Sequence, residues 1–306
     1  MEQRLPYNNL SRWMKDRYGV KIRKVALVSG LGCPNRDGVK GRAGCIFCDE
    51  NMSGHDPEVI EGKSVRQQLH EQIAIYERSR VKYLYVPYLQ SGSNTYGPHK
   101  QLIEVYKQAV DHDKVVAISI GTRPDCVDEE LIYLIKETLE GYDVWIDLGV
   151  QTFSEQTLAA IERNHTAADS IRAIKQLRQA GFFVCAHLIF GLPGENQDVY
   201  RKNADLLAEH DISGVKLHPL FISKGAPLAI QYAARPFPLL SECEYVDIIV
   251  DFLRRLPEEV VIHRLVGHGR ESVHLEPKWA MEHRRVQECI ADEMIKRGVV
   301  QGDLID

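Results

Sequence analysis

The sequence predicts an α/β protein built around a mainly parallel sheet. Six short runs rich in β-branched and aromatic residues alternate with amphipathic helical patterns, the mark of repeated βαβ units. Several of these runs are almost continuously apolar, as strands buried on both faces should be. The 306-residue chain is 44% hydrophobic and 26% charged, which is enough to bury one large core or two modest ones.

The first run, KVALVS at 24–29, precedes a glycine-rich loop and a helical pattern at 65–80. KYLYVPY at 82–88 leads into a helix at 99–112, and VVAISIG at 115–121 into one at 128–140. VWIDLGV at 144–150 is followed by two helical patterns, at 155–163 and 167–180. Gly181 stands where a C′ glycine stops the second of them. FFVCAHLIF at 182–190 feeds a helix at 196–210, and GVKLHPLF at 214–221 closes the alternation. Right-handed crossovers wind such a chain into a barrel-like layer or an open doubly wound sheet, and local pattern does not choose between them. In either case the working face lies at the carboxyl ends of the strands.

Beyond about residue 225 the alternation weakens. Residues 226–240 hold three prolines and read as a linker, followed by a helix at 242–256, a short strand at 260–263 and a helix at 280–297. The division is then a basic N-terminal segment (1–23), a core (24–225) and a C-terminal extension packed on that core (226–306).

Several classes are excluded. No apolar run approaches the roughly 20 residues that cross a bilayer. The N-terminal MEQRLPYNNLSRWMKDRYG has no apolar leader region, so a cytoplasmic protein is expected. There is no low-complexity tract and no fixed-period repeat. The formal net charge of −5 gives no global argument for nucleic acid, and no DNA partner is expected.

Of seven cysteines, Cys126, Cys185, Cys243 and Cys289 are scattered through periodic segments and read as small buried hydrophobes. Cys33, Cys45 and Cys48 are bunched in GLGCPNRDGVKGRAGCIFC, with spacings of eleven and two residues. Five glycines and one proline make that stretch a loop that can fold back and converge three thiolates. A structural zinc site wants four ligands, and an electron-transfer [4Fe–4S] cluster wants four cysteines. Three cysteines on a [4Fe–4S] cluster leave one iron open to a substrate or cofactor. The alternatives are zinc completed by Cys126 or His55, and a redox dithiol at Cys45 and Cys48. Phe47, directly before the last cysteine, would sit against the cluster edge and offer a face or backbone to a purine.

These residues resemble the radical S-adenosylmethionine (SAM) superfamily, whose cluster motif ends in Cys-x-aromatic-Cys. The usual first spacing there is three residues. The spacing of eleven is shared by the YhcC/YtqA-like group, related to the catalytic subunit of Elongator. CPNRDGVKGRAGCIFC, YLQSGSNTYGP, GTRPDC, LGVQTFSEQTL, HLIFGLPGE, VKLHPL and IHRLVGHG all resemble that group, and the likeness runs from about residue 7 to 295.

The resemblance implies a partial (β/α)6 barrel with a C-terminal α/β extension, a [4Fe–4S] cluster on Cys33, Cys45 and Cys48, and SAM as cofactor. It places Gln90, Ser91, Gly92, Ser93 and Asn94 at the turn that receives the amino group of SAM. Gln151 and Arg163 match positions used on the ribose and carboxylate in the similar oxygen-independent coproporphyrinogen oxidases. An Arg fork suits a carboxylate. His187 stands where that family has an Asp toward the ribose. GLPGE lacks the Lys and Ser/Thr of a phosphate loop and fits a turn near the adenine. His218 would end the sixth strand facing the open mouth, and together with Arg264 it is the candidate substrate contact.

The implied chemistry is reductive cleavage of SAM to a 5′-deoxyadenosyl radical, fed by a low-potential donor such as flavodoxin or ferredoxin. The group relationship points to the C5 side chain of a tRNA wobble uridine, processed from carboxymethylaminomethyl to aminomethyl. Residues 1–24 carry seven Lys/Arg against two acids, and Arg264, Arg270, Arg284 and Arg285 add C-terminal cations suited to phosphates. The group commonly has an acid after the glycine of HRL-x-G, where His268 stands here. Elongator-type acetyl chemistry is not expected. A small molecule or protein side chain as substrate, and a metal-stabilised binding module without turnover, remain the rival readings.

Overall fold

The computed structural model describes residues 5–50, 52, 62–267, 269 and 271–305. Seven strands form one all-parallel sheet: β1 (Lys21–Val28), β2 (Tyr83–Gln90), β3 (Ala117–Thr122), β4 (Asp143–Gln151), β5 (Phe183–Phe190), β6 (Gly214–Pro219) and β8 (Val261–Arg264). They lie in that order, so each crossover joins neighbours and the sheet curls into a partial barrel, the (β/α)6 arrangement extended by one strand. A two-stranded antiparallel ribbon, β7 (Ile222–Ser223) with β9 (His274–Glu276), stands apart.

Strand alternation sorts side chains to two faces. Val25 and Leu27 of β1, Ile118 and Ile120 of β3, and Ile146 and Leu148 of β4 join the large core beneath the helices. Helix α3 (His99–Ala109) shows the matching period, burying Leu102, Val105, Tyr106 and Ala109. Helices α2 (Val65–Glu77) and α6 (Ala167–Gln179) each begin with a capping box, Ser64 with Gln67 and Thr166 with Asp169. Gly181 takes φ +89° and ends the turn after α6, as its position predicts.

The opposite faces line a lumen, and its floor is a separate apolar set of Met14, Val86, Ala117, Trp145, Cys185 and Val261. Met14 belongs to α1 (Leu10–Tyr18), which touches both β1 and β8, the two edges of the curl. Trp13 of α1 meets Trp145 edge-on at 5.3 Å and Phe183 at 5.4 Å, and Trp145 stacks on Phe183 at 4.8 Å. The helix is pinned there by Arg17, which donates two hydrogen bonds to Asp143 at 2.5 and 2.7 Å. The basic N-terminal segment therefore closes the amino end of the strands, remote from their carboxyl ends.

Residues 226–240, expected as a linker, contain α8 (Pro227–Ala234). Pro227 occupies the first helical position, where a missing N–H costs nothing, and the other two prolines follow the helix. Helices α9 (Glu242–Arg254) and α10 (His283–Arg297) pack on each other, and α9 packs on α7 (Gln197–Glu209).

Candidate active site

The carboxyl ends of the strands open into a cleft of about 280 Å³. All three bunched cysteines line it, with Phe47, Gln90, Ser91, Gly92, Gln151, Arg163, His187, His218 and Arg264. Residues spread over 232 positions of sequence thus meet at one mouth, because they lie in the carboxyl-end halves of the parallel strands or in the connections that leave those ends. All seven cysteines are free thiols.

The cysteine loop folds on its own backbone. Arg36 N donates to Cys33 O at 2.8 Å, Gly44 N to Asn35 O at 2.9 Å and Cys48 N to Cys45 O at 2.9 Å. Asn35 is fully buried and ties the loop to the far wall by donating to Glu162 O at 2.7 Å. Gly41 packs against it so closely that a Cβ would meet Asn35 Oδ1 at 2.6 Å. The unexpected helix α8 backs the loop, for Leu228 N donates to Ile46 O at 2.8 Å. Phe47 is partly buried against the apolar cluster that holds Ile161, Ile189, Leu220 and Leu228, while still lining the cleft.

At the end of β2, Ser91 and Gly92 both take φ +71°, and a Cβ on Gly92 would meet Leu31 O at 2.7 Å. Ser93 and Asn94, expected with them on the cofactor, are instead fully buried one layer below. Ser93 N donates to Gly32 O at 2.9 Å, and Asn94 Nδ2 to Gly121 O at 2.9 Å. They brace the turn and tie it to the cysteine loop and to β3; neither lines the cleft.

Gln151 ends β4 at φ +69°, beside a register shift in the β4–β5 pairing. Arg163 is buried, donating from Nη2 to Gly149 O at 2.7 Å and from Nη1 to the Cys45 sulfur at 3.4 Å. Arg123, in the GTRPDC segment but assigned no role from sequence, reinforces it by donating from Nη2 to Arg163 O at 2.8 Å. Burial would raise the Asp125 carboxyl, but Arg123 and Lys40 beside it hold it below its usual value. The GLPGE turn is anchored through Glu195, which accepts from Thr152 Oγ1 at 2.5 Å.

His187 and His218 approach ring to ring at 4.7 Å. Burial lowers both, His218 to about 4, so both are neutral near pH 7. His218 Nδ1 lies 2.9 Å from Pro219 O, and a carbonyl only accepts, so Nδ1 carries the proton and Nε2 is left as an acceptor.

Below them lies a charged layer that the sequence did not reveal. Lys216 Nζ sits 2.6 Å from Asp147 Oδ2, to which Ser119 Oγ also donates at 2.8 Å. Lys24 donates to Ser119 Oγ at 3.3 Å, and the Lys216 ammonium lies 4.0 Å from the Tyr88 ring centre. Asp147, Cys185 and His263 bring ligand-type atoms within 4.8 Å of one another. A dication there would meet the two ammonium groups already facing Asp147, so like-charge repulsion opposes a metal at this level.

The expected cationic patch is dispersed. Lys24 points into the lumen, Arg17 is bound to Asp143, and Arg285 is bound to Glu242 and Glu282. Arg4, His268 and Arg270 lie outside the described residues, as does His55. Cys126, the other alternative zinc ligand, does not line the cleft.

Residues 27–207 match the radical SAM superfamily, and residues 212–296 match the radical SAM C-terminal domain. The chain belongs to the radical SAM superfamily. This radical SAM chain is 33% identical to YtqA of Bacillus subtilis over 302 residues, covering 97% of this chain and 92% of that one. It is 36% identical to YhcC of Escherichia coli over 290 residues, covering 94% and 92%. Its fold is similar to that of Elp3 from the archaeon Methanocaldococcus infernus, with a TM-score of 0.68 at 19% identity over 92% of this chain and 64% of that one. A shorter stretch, 140 residues, is 30% identical to a tRNA uridine(34) acetyltransferase of Methanocaldococcus jannaschii, covering 44% of this chain and 25% of that one.

A radical SAM protein takes a [4Fe–4S] cluster and SAM, and the cleft suits both. N–H donors on a cysteine sulfur, here from Arg163 and from Asn35 Nδ2 at 3.5 Å, stabilise an anionic cluster ligand. Ser91 Oγ, Gln151 Oε1, Arg163 Nε and His187 Nε2 are buried without a hydrogen-bond partner, and all four residues line the cleft. Buried polar groups of that kind wait for a polar ligand.

Proposed function

We propose that this radical SAM enzyme acts on the C5 side chain of a wobble uridine in tRNA, converting carboxymethylaminomethyl to aminomethyl. In that conversion SAM would be the oxidant: loss of a hydrogen atom, a proton and an electron from the N-substituted glycine would leave an imine, and the electron would return to the cluster. Water would split the imine into the amine and glyoxylate. The observation that carries the cofactor half is the cleft shared by three convergent cysteines and four side chains that each bury a polar atom without a partner. The substrate half draws on the likeness to a tRNA uridine(34) acetyltransferase and to Elp3. When bound, the cluster and SAM supply a 5′-deoxyadenosyl radical that takes hydrogen from an unactivated C–H bond.

In this reading Cys33, Cys45 and Cys48 hold the cluster. The Gln90–Gly92 turn receives the amino group of SAM, Arg163 its carboxylate, and Gln151 and His187 its ribose, with Phe47 against the adenine. RNA approaches the carboxyl end of the strands, where Arg36 lines the cleft and Lys40 and Arg42 stand on the exposed part of the same loop. The test is nucleoside mass spectrometry of tRNA bearing the carboxymethylaminomethyl group, incubated anaerobically with reconstituted enzyme, SAM and a low-potential reductant. Appearance of aminomethyl uridine supports the reading. Unchanged nucleosides, with SAM cleaved in response to a metabolite extract, would select a free small molecule, a substrate that the cleft volume also admits.

A further inference from the structure

The charged layer beneath the cofactor residues holds more positive charge than it neutralises. Lys24 of β1, Lys216 of β6 and Arg264 of β8 converge on a lumen with one carboxylate at that level, Asp147. Asp147 is committed to Lys216 at 2.6 Å. Asp49, the other acid at the cleft, belongs to the cysteine loop at the rim. The histidines cannot offset the surplus, because His187, His218 and His263 are all held neutral by burial.

The Arg264 side chain makes no hydrogen bond or ion pair with any described residue, yet it lines the cleft and its charge is felt by both lysines. A guanidinium left unpaired beside the Lys24 and Lys216 ammonium groups adds like-charge repulsion that a bound anion would relieve. Two polar features surround the same space. Asp147 Oδ1 is buried with no hydrogen-bond partner, and His187 Nε2 is likewise unpartnered. The site therefore offers a cationic fork for two acceptor oxygens, with a free carboxylate oxygen nearby for an N–H.

We propose that this lumen is a subsite for a substrate carboxylate carried next to an amine, contacted by Arg264 and held in the field of Lys24 and Lys216. The assignment rests on the reading of the cleft as the reaction site and names the chemical group it takes. Arg264 is a binding residue in this account. The lysines act on the carboxylate through space, and Asp147 accepts from the amine. An N-substituted glycine, the end group of the carboxymethylaminomethyl side chain, has that combination of charges.

The experiment is anaerobic calorimetry on the reconstituted enzyme with SAM. One pair of probes is N-methylglycine and its methyl ester, which differ in the carboxylate alone. A second pair is carboxymethylaminomethyl uridine and aminomethyl uridine. The wild-type enzyme should bind each carboxylate at least about tenfold more tightly than its partner probe. Arg264→Gln should abolish that preference, and Arg264→Lys, which keeps the charge but loses the fork, should retain part of it. Equal binding within the pairs, undetectable binding of both, or a preference that survives Arg264→Gln would each overturn the subsite. A wild-type enzyme that shows no preference within the pairs while its SAM cleavage still rises with tRNA sinks the subsite and leaves the proposed function standing. A preference for N-methylglycine in an enzyme indifferent to tRNA does the reverse.

Discussion

Arg163 Nη1 lies 3.4 Å from the sulfur of Cys45, a residue 118 positions earlier in the chain. The same side chain grips the end of β4 through Gly149 O at 2.7 Å. A Cβ on Gly149 would stand 2.8 Å from that guanidinium, so the strand end and the arginine are fitted to each other. Hydrogen bonds to cluster sulfurs raise reduction potential, and a guanidinium fork binds a carboxylate. Arg163→Met should therefore shift the cluster potential negative and weaken SAM binding about tenfold or more. Potentiometry followed by electron paramagnetic resonance and equilibrium dialysis of SAM read the two effects; an unchanged potential and affinity would contradict both roles.

Glu195 couples the GLPGE turn to Thr152 and, through it, to the end of β4. Burial pushes its carboxyl from 4.5 up to about 7. With the folded value above the unfolded one, its contribution to stability is complete below about pH 4 and is lost as pH rises through 7. Glu195→Gln should be more stable than wild type at pH 8 by roughly 1–2 kcal/mol and should flatten the profile from pH 5 to 8. Urea unfolding at a series of pH values checks this, and parallel profiles would count against it.

Lys24 is held down to about 8 by burial and by Lys216. A base whose folded value is depressed costs stability below that value, and the cost fades as pH rises toward the unfolded value near 10.4. Lys24→Met should therefore stabilise the protein at pH 7 by about 1–3 kcal/mol while weakening carboxylate binding. A melting temperature that falls would show that the ammonium is better compensated than the lumen geometry implies.

The floor of the lumen depends on α1. Trp13→Ala removes an aromatic that meets both Trp145 and Phe183 and should cost roughly 2–4 kcal/mol. Arg12→Ala breaks an exposed pair with Asp16 and should cost less than about 0.5 kcal/mol. Denaturant unfolding of the two variants side by side tests the difference, and equal losses would mean that α1 is not a structural floor.

Much of the fold was legible because buried parallel strands write themselves as apolar runs. The start of β1 was not, since Lys21 and Arg23 are exposed at a sheet edge and break the run. Residues 260–263 read as a strand, but not as a partner of β6 in the main sheet; pairing across the extension leaves no local mark. Helix α8 was hidden by prolines that in fact sit at its start and beyond its end.

The cysteine loop was legible from composition, because glycines and clustered thiols carry their own signal. Ser93 and Asn94 looked like cofactor contacts because they are small and polar, qualities that serve equally for bracing a turn. The charged lumen escaped notice since each member is a single residue on a different strand. Its one sequence signal was a lone charge inside an apolar run, Asp147 in VWIDLGV and Lys216 in GVKLHPLF. Neither residue says which others the barrel brings to the same level.

The central claim is that the three-cysteine cleft cleaves SAM. The direct test is anaerobic reconstitution with iron and sulfide, addition of SAM and dithionite, and quantification of 5′-deoxyadenosine from wild type and Cys45→Ala. The account predicts product from the wild type, more of it with tRNA carrying the carboxymethylaminomethyl group, and none from Cys45→Ala. No product from wild-type protein holding a full cluster, or undiminished product from Cys45→Ala, would contradict it.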